Sequence, residues 1–252
     1  MGKILAILNQ KGGVGKTTTA INLGAYLARR GYSVLVVDLD PQGNATSGLG
    51  LDKQHLEATM YDVLFAQVEL DKITKDTSVV GLRVAPTNQQ LAAAEIDLAG
   101  EARREHRLAE VLQPLVYDYI LIDCPPSLGL LTINALSAAD FVLIPVQAEY
   151  YALEGLGQLL DVVQRVRHGL NPHLNLLGVV VTMYDSRTSL SDQVVAELKA
   201  HFKDKLFATI IPRNVRLAEA PSYGKTIHEH DRWSKGARSY KQLAKEVEER
   251  AK

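Results

Sequence analysis

Cysteine is almost absent from this sequence: Cys124 is the only one in 252 residues. A lone thiol closes no disulfide within the chain and completes no cysteine-rich metal site. A disulfide scaffold and an iron–sulfur protein are therefore not expected, and a reducing, cytoplasmic setting is. Long apolar runs are missing as well; none approaches the ~18 residues of a membrane-spanning helix. The opening MGKILAILNQ is too short an apolar stretch for a leader, because Asn9 and Gln10 end it. An excess of one charge sign is also missing. With 28 Lys/Arg against 29 Asp/Glu, the net charge of −1 singles out no partner. The charges are unevenly placed, however. Residues 1–150 hold 12 basic and 17 acidic side chains, residues 151–252 hold 16 and 12, and residues 199–245 alone hold 11 and 4. That stretch reads either as a solvated helical face or as a basic surface for a polyanion.

What is present is a regular alternation. Short Val/Ile/Leu-rich runs at Ile4–Leu8, Ser33–Asp38, Leu82–Pro86, Tyr119–Asp123, Phe141–Val146, Leu176–Thr182 and Phe207–Ile211 are continuous rather than alternating, as strands buried on both faces should be. Between them, helical periodicity predicts helices over Lys16–Arg30, Gln89–Leu98, Arg107–Leu115, Ala152–Arg167, Leu190–Phe202 and Gly236–Arg250. This predicts an α/β fold, a mostly parallel sheet with helices on both faces, and one domain over residues 1–252, since no linker or repeat interrupts the pattern. Ligands of such sheets bind beyond the carboxyl ends of the strands. Lys11–Thr17, Asp38, Asp40, Asp123 and Pro212–Asn214 all fall at such ends.

One glycine is conspicuously missing from NQKGGVGKTT, residues 9–18. The common phosphate loop reads G-x-x-x-x-G-K-[ST], and Gln10 stands where its first glycine belongs, beside a Lys11 that the pattern does not require. The rest of the loop fits. Gly12, Gly13, Val14 and Gly15 fold tightly so that backbone N–H groups face phosphate oxygens, and the helix starting at Lys16 presents its positive end to the same anion. Lys16 reaches the β- and γ-phosphates, and Thr17 is placed to ligate Mg²⁺. A dinucleotide-binding G-x-G-x-x-G starting at Gly13 would leave Thr18 where its third glycine belongs.

Two carboxylate elements complete a nucleotide site. In YDYILIDCPPS (117–127) a buried strand ends on Asp123, placed to hold Mg²⁺ through a water and to orient Thr17. In VVDLDPQGNATSGLG (36–50) Asp38 and Asp40 lead into a polar Gly-rich loop. Hydrolysis needs a group to position the attacking water, and Asp40, farther out from the strand, is the candidate. Asp38 would hold the loop or a Mg²⁺-bound water.

Together these elements resemble the ParA/Soj family of partition ATPases within the deviant Walker A group of P-loop NTPases. The resemblance rests on KGGVGKTT (11–18), DLDPQGNAT (38–46), IDCPPSLG (122–129), PVQAEYYALEG (145–155) and IPRNVRLAEAPS (211–222), which span nearly the whole chain. It implies that Lys11 reaches across a dimer interface to phosphates held by the other subunit, so that an ATP-dependent homodimer forms around two ATPs. The alternative is that Lys11 neutralises only its own chain's phosphates. It further implies that Pro212 and Asn214 border the adenine, with Asn9, Met183 and Asp185 near the base or the interface. Arg187 and Arg216 would contact DNA without sequence preference. The other implied partners are a ParB/Spo0J-like protein that stimulates hydrolysis and the replication-initiation machinery, with the protein located on the nucleoid. Two relatives of other habits stay open: a positioning ATPase for a protein cargo, and a MinD-like membrane-cycling regulator. Against the second, the tail stripe Tyr240, Leu243, Ala244 and Val247 has balanced charges around it and reads as docking onto the core. The first strand begins by Ile4, so no operator-specific domain is expected ahead of it.

Three further residues are read blandly. His228 and His230 flank Glu229 without a second ligand cluster, so they are expected in an exposed loop. Cys124 is expected to be a buried, inert thiol, and Trp233 to be packing, with contact to DNA the alternative.

Overall fold

The computed structural model describes residues 2–149 and 154–252. Among these, eight strands form one sheet: β1 (Lys3–Ile7), β2 (Val34–Asp38), β3 (Lys75–Asp76), β4 (Leu82–Ala85), β5 (Tyr119–Asp123), β6 (Phe141–Gln147), β7 (Asn175–Tyr184) and β8 (Leu206–Pro212). The spatial order is β3-β4-β2-β5-β1-β6-β7-β8. Every pairing is parallel except β3 with β4. The seven expected strands are present with ends shifted by a few residues. β3 was not expected; a two-residue exposed edge strand carries no apolar signal.

Alternation along the strands feeds two cores. Leu5 and Ile7 of β1 point into one with α1 (Lys16–Ala28), α2 (Asn44–Gly48), α10 (Val215–Glu219), α11 (Ile227–Asp231) and α12 (Lys235–Arg250). Ala6 and the following Leu8 point into the other, with α3 (Met60–Leu64), α4 (Leu70–Ile73), α5 (Ala94–Asp97), α6 (Arg107–Leu112), α7 (Leu130–Ala138), α8 (Glu154–Gly169) and α9 (Ser189–Phe202). Because both faces are covered, the central strands carry apolar side chains at successive positions, which is the pattern the sequence shows. Tyr240, Leu243, Ala244 and Val247 of α12 are all buried against the first core, and the Tyr240 hydroxyl hydrogen-bonds Thr19 of α1 at 3.1 Å. No helix among the described residues is long and apolar enough to cross a membrane.

The helices depart from the sequence pattern in several places. The expected Gln89–Leu98 helix is a 3₁₀ turn at Gln89–Ala93, the single turn α5, and another 3₁₀ turn at Leu98–Gly100. α6 stops at Leu112, because Pro114 has no N–H to continue the ladder. The helix expected from Ala152 is seen from Glu154; its first residues lie outside those described, as do Tyr150–Leu153 of the PVQAEYYALEG motif. α7 was not anticipated. Its cap is not local: the Glu95 carboxylate accepts from Leu130 N (2.7 Å) and Leu131 N (3.3 Å). His228, Glu229 and His230 form the short helix α11 rather than a loop, with Glu229 closing a capping box on Thr226.

Candidate functional site

The loop between β1 and α1 owes its shape to two glycines. Gly13 has φ 73° and Gly15, capping α1, has φ 90°, a left-handed backbone that side chains resist. Gln10 has no such φ, so a side chain costs nothing where the common pattern has its first glycine. The loop is stapled to the neighbouring strands. The Asn9 amide donates to Pro145 O on β6 (2.8 Å), and its oxygen accepts from Lys11 N (3.0 Å). Thr182 on β7 donates its hydroxyl to Val14 O at 2.8 Å. Thr182 was missed from the sequence because nothing near it marks it; only the β6–β7 pairing brings it to the loop.

The two lysines of the loop are placed differently. Lys16 is buried, 6% exposed, and its Nζ donates to Lys11 O at 3.2 Å. Burial pushes its pKa below the usual value, against the opposing pull of Asp123, Asp40 and Cys124. The Lys11 side chain is 44% exposed and its Nζ lies 2.8 Å from Glu149 Oε2. Glu149 also accepts from Gln147 and lies 3.9 Å from Arg213. Sequence reasoning did not single out Glu149, which lies in the quoted 145–155 motif but 138 residues from its lysine.

Asp123 ends β5 beside Ile7 and Asp38. Both of its oxygens are buried with no hydrogen-bond partner among the described residues. Burial raises its pKa well above the carboxylate range, and Asp38 adds to the rise; the Thr17 hydroxyl beside it and the Lys16 ammonium oppose it. A buried carboxylate with both oxygens orphaned, next to a hydroxyl, is the donor set of a hard divalent cation such as Mg²⁺. The residues fit that metal.

Asp38 is fully buried and committed. Its Oδ2 accepts from Thr46 N and Thr46 Oγ1, both at 2.7 Å, while Thr46 Oγ1 accepts from Thr87 N at 3.0 Å. Burial pushes Asp38 up to about 7. Asp40 makes an Asx turn, accepting from Gln42 N at 2.9 Å through Oδ1, and is 7% exposed. Asp38 thus ties down the 38–46 loop that aims Asp40. Cys124 is buried, with its thiol driven far above the ordinary range by burial.

Farther along the same end of the sheet, Pro212 closes β8 opposite Tyr184, and Met183 has a left-handed φ of 51°. Asn214 caps α10, its oxygen accepting from Leu217 N at 3.3 Å. That commits its oxygen but not its amide nitrogen. Arg187 holds Asp185 through two nitrogens, at 2.9 and 2.6 Å, which keeps that carboxyl well below its usual range. Arg216 pairs with Glu219 at 2.9 Å and lies 3.7 Å from Asp231. Trp233 is 76% exposed, so packing does not account for it. Among the described residues no cluster of His, Cys, Asp and Glu has the form of a metal cage.

A glycine-pinned phosphate loop, a buried lysine and an orphaned strand-end carboxylate at the carboxyl edge of a parallel sheet define a nucleotide-binding P-loop protein. Comparison with known proteins narrows this. Residues 2–176 match the AAA domain family model. The chain is 58% identical over 249 residues to the sporulation initiation inhibitor protein Soj of Bacillus subtilis, covering 98% of each chain. It is 56% identical over 243 residues to the chromosome-partitioning ATPase Soj of Thermus thermophilus, covering 96% of this chain and 94% of that one. Among solved structures it is similar to a Mycobacterium smegmatis protein described as cobyrinic acid a,c-diamide synthase with bound ADP and magnesium. There the TM-score is 0.87 and the identity 40%, with 97% and 93% of the two chains covered. The chain belongs to the ParA/Soj family of chromosome-partitioning ATPases.

Proposed function

We propose that this ATPase works as a nucleotide-gated clamp on DNA, pairing when ATP is bound and releasing after hydrolysis. The observation that carries the reading is the contrast between its two loop lysines. Lys16 is folded inward where phosphates would sit, while Lys11 reaches out to the surface and is held by an exposed carboxylate. Exposed ion pairs contribute little, so Lys11 is free to exchange Glu149 for a better anion. In the ATP-bound homodimer that anion is the triphosphate on the other subunit, and a donated cation stabilises charge on the transferring phosphoryl group.

Within each subunit the loop amides around Gly12–Gly15 and the Lys16 ammonium bind the phosphates, with Thr18 beside them in the first turn of α1. Asp123, through a water, and the Thr17 hydroxyl would hold Mg²⁺. When bound, Mg²⁺ neutralises charge on the β- and γ-phosphates. Asp40, aimed by the Asp38–Thr46 brace, positions the attacking water. Pro212 and Asn214 border the adenine, the free amide nitrogen of Asn214 being the donor. Arg187 and Arg216 bind DNA phosphates without reading sequence, and pairing doubles the contacts, so DNA residence follows nucleotide state. A ParB/Spo0J-like partner stimulates hydrolysis and releases the pair from the nucleoid; contact with the replication-initiation machinery completes the partners.

Measuring mass in solution with ATP and with ADP tests the reading. The wild type should pair only with ATP, and Lys11→Ala should stay single while still binding ATP. A Lys11→Ala protein that pairs on ATP and hydrolyses it normally would overturn the clamp.

A further inference from the structure

Two loops at the nucleotide end follow strand-end carboxylates: residues 38–46, which carry Asp40, and residues 124–129, which leave Asp123. A third segment touches both. It starts at Thr87, whose N–H donates to Thr46 Oγ1 at 3.0 Å, the hydroxyl that itself donates to Asp38. Thr87 O also packs so closely on Gly43 that a Cβ there would come within 2.9 Å of it. Leu91, Ala94 and Leu98 anchor the segment in the core that also holds Leu131, Ala135 and Leu136 of α7. On α5 between these anchors stands Glu95, whose carboxylate accepts from Leu130 N at 2.7 Å and from Leu131 N at 3.3 Å.

No local residue supplies that cap. Gly129, at the N-cap of α7, has no side chain to offer, and the first N–H groups of a helix have no partner within it. A carboxylate serves both those donors and the positive end of the helix. The fit is close: a Cβ on Gly129 would lie 2.4 Å from each Glu95 oxygen, so the glycine is what admits the carboxylate. The buried Thr132 donates its hydroxyl to Ser127 O at 2.6 Å, which passes the position of the first turn back into the loop. Cys124 N donates to Ile7 O at 3.2 Å and fixes the other end. Glu95 thus sets where the downstream end of the Asp123 loop sits, from a segment whose start is bonded to the loop of Asp40.

We propose that Glu95 is a positioning residue for ATP hydrolysis, keying the loop behind Asp123 to the loop that carries Asp40. This rests on the reading of Asp40 as the group that positions the attacking water. ATP binding draws on the loop amides and Lys16, which are held by other strands. Hydrolysis also needs the water and the phosphates in register, so Glu95 acts on turnover.

Steady-state kinetics and calorimetry separate the two. Glu95→Ala should lower kcat on the order of tenfold, as a small misplacement at the reacting groups does, and leave ATP affinity within about twofold. Its Tm should fall by no more than about 4 °C, the loss of one cap. Glu95→Gln, which keeps one acceptor oxygen, should lose less turnover. Gly129→Ala should lower Tm and kcat in the wild type and change neither further in Glu95→Ala, where the carboxylate it displaces is gone. In an Asp40→Ala background, Glu95→Ala should cost less than about twofold in kcat. Equal losses of kcat and ATP affinity, or an unchanged kcat in both Glu95 variants, would overturn the proposal. So would a further tenfold loss on adding Glu95→Ala to Asp40→Ala. Wild-type turnover by Asp40→Ala alone would instead bring down the reading of Asp40, and this proposal with it.

Discussion

The nucleotide end of the sheet and the basic flank beyond it are built on opposite rules. At the nucleotide end the polar groups are buried and either tied down or conspicuously orphaned: Asn9, Thr182 and Asp38 are bonded, while both oxygens of Asp123 lack partners. On the flank, Arg187 and Arg216 lie in solvent, paired with carboxylates that water and salt readily replace. The first arrangement is stiff and specific, because a displaced buried group costs its whole desolvation. The second is exchangeable, which is what the proposed capture and release of a polyanion would need. The difference teaches where mutations should act sharply and where they should only shade the behaviour.

The largest effect is expected at Asp40. Asp40→Ala should slow ATP turnover by about 100-fold or more while keeping ATP bound, so that the pair persists on DNA. Single-turnover kinetics with wild-type rates would break the contrast at its strongest point. Lys16→Ala comes next: losing a buried, charge-assisted contact to phosphate should weaken ATP binding by about 2–3 kcal/mol, readable by calorimetry. The flank should respond more gently. Arg216→Ala should lower DNA affinity several-fold and the salt slope by about 1, with nucleotide affinity intact; loss of both together would point to misfolding instead.

The smallest effect is a pH dependence set by the buried acids. Asp38, pushed up to about 7, and Asp123, also raised, are more readily protonated folded than unfolded. Their contribution is fully present below about pH 4 and is lost as pH rises through the folded values. Without Mg²⁺ and nucleotide, Tm should therefore fall between about pH 5 and 8. Adding both should remove much of that slope, since the cation takes over the proton's place at Asp123. An unchanged slope would separate Asp123 from metal binding.

The same division governs what could be read from the sequence. Lys11–Thr18, Asp38, Asp40 and Asp123 were legible because each sits at the end of a continuous apolar run, and in a parallel sheet those ends converge. The strands were legible for the same reason. α7 was not, because it is buried on several sides, so its apolar residues show no stripe, and its cap comes from Glu95, 35 residues away. Asn134 inside it spends its oxygen on Leu108 N and its amide on Arg104 O, bonds that no local pattern announces. Glu149 and Thr182 were likewise invisible, being brought to the loop by strand pairing alone. The exposed Trp233 was misjudged because aromatic character by itself does not tell a core residue from a surface one.

The staples from Asn9 and Thr182 have a further consequence. The cradle hangs from β6 and β7, strands of the central sheet, and so it is formed before any ligand arrives. Little conformational freedom is left to lose on binding, so association should be fast, and on the proposed clamp discrimination between ATP and ADP would fall to the Lys11 amine, whose exposed pairing with Glu149 is readily exchanged.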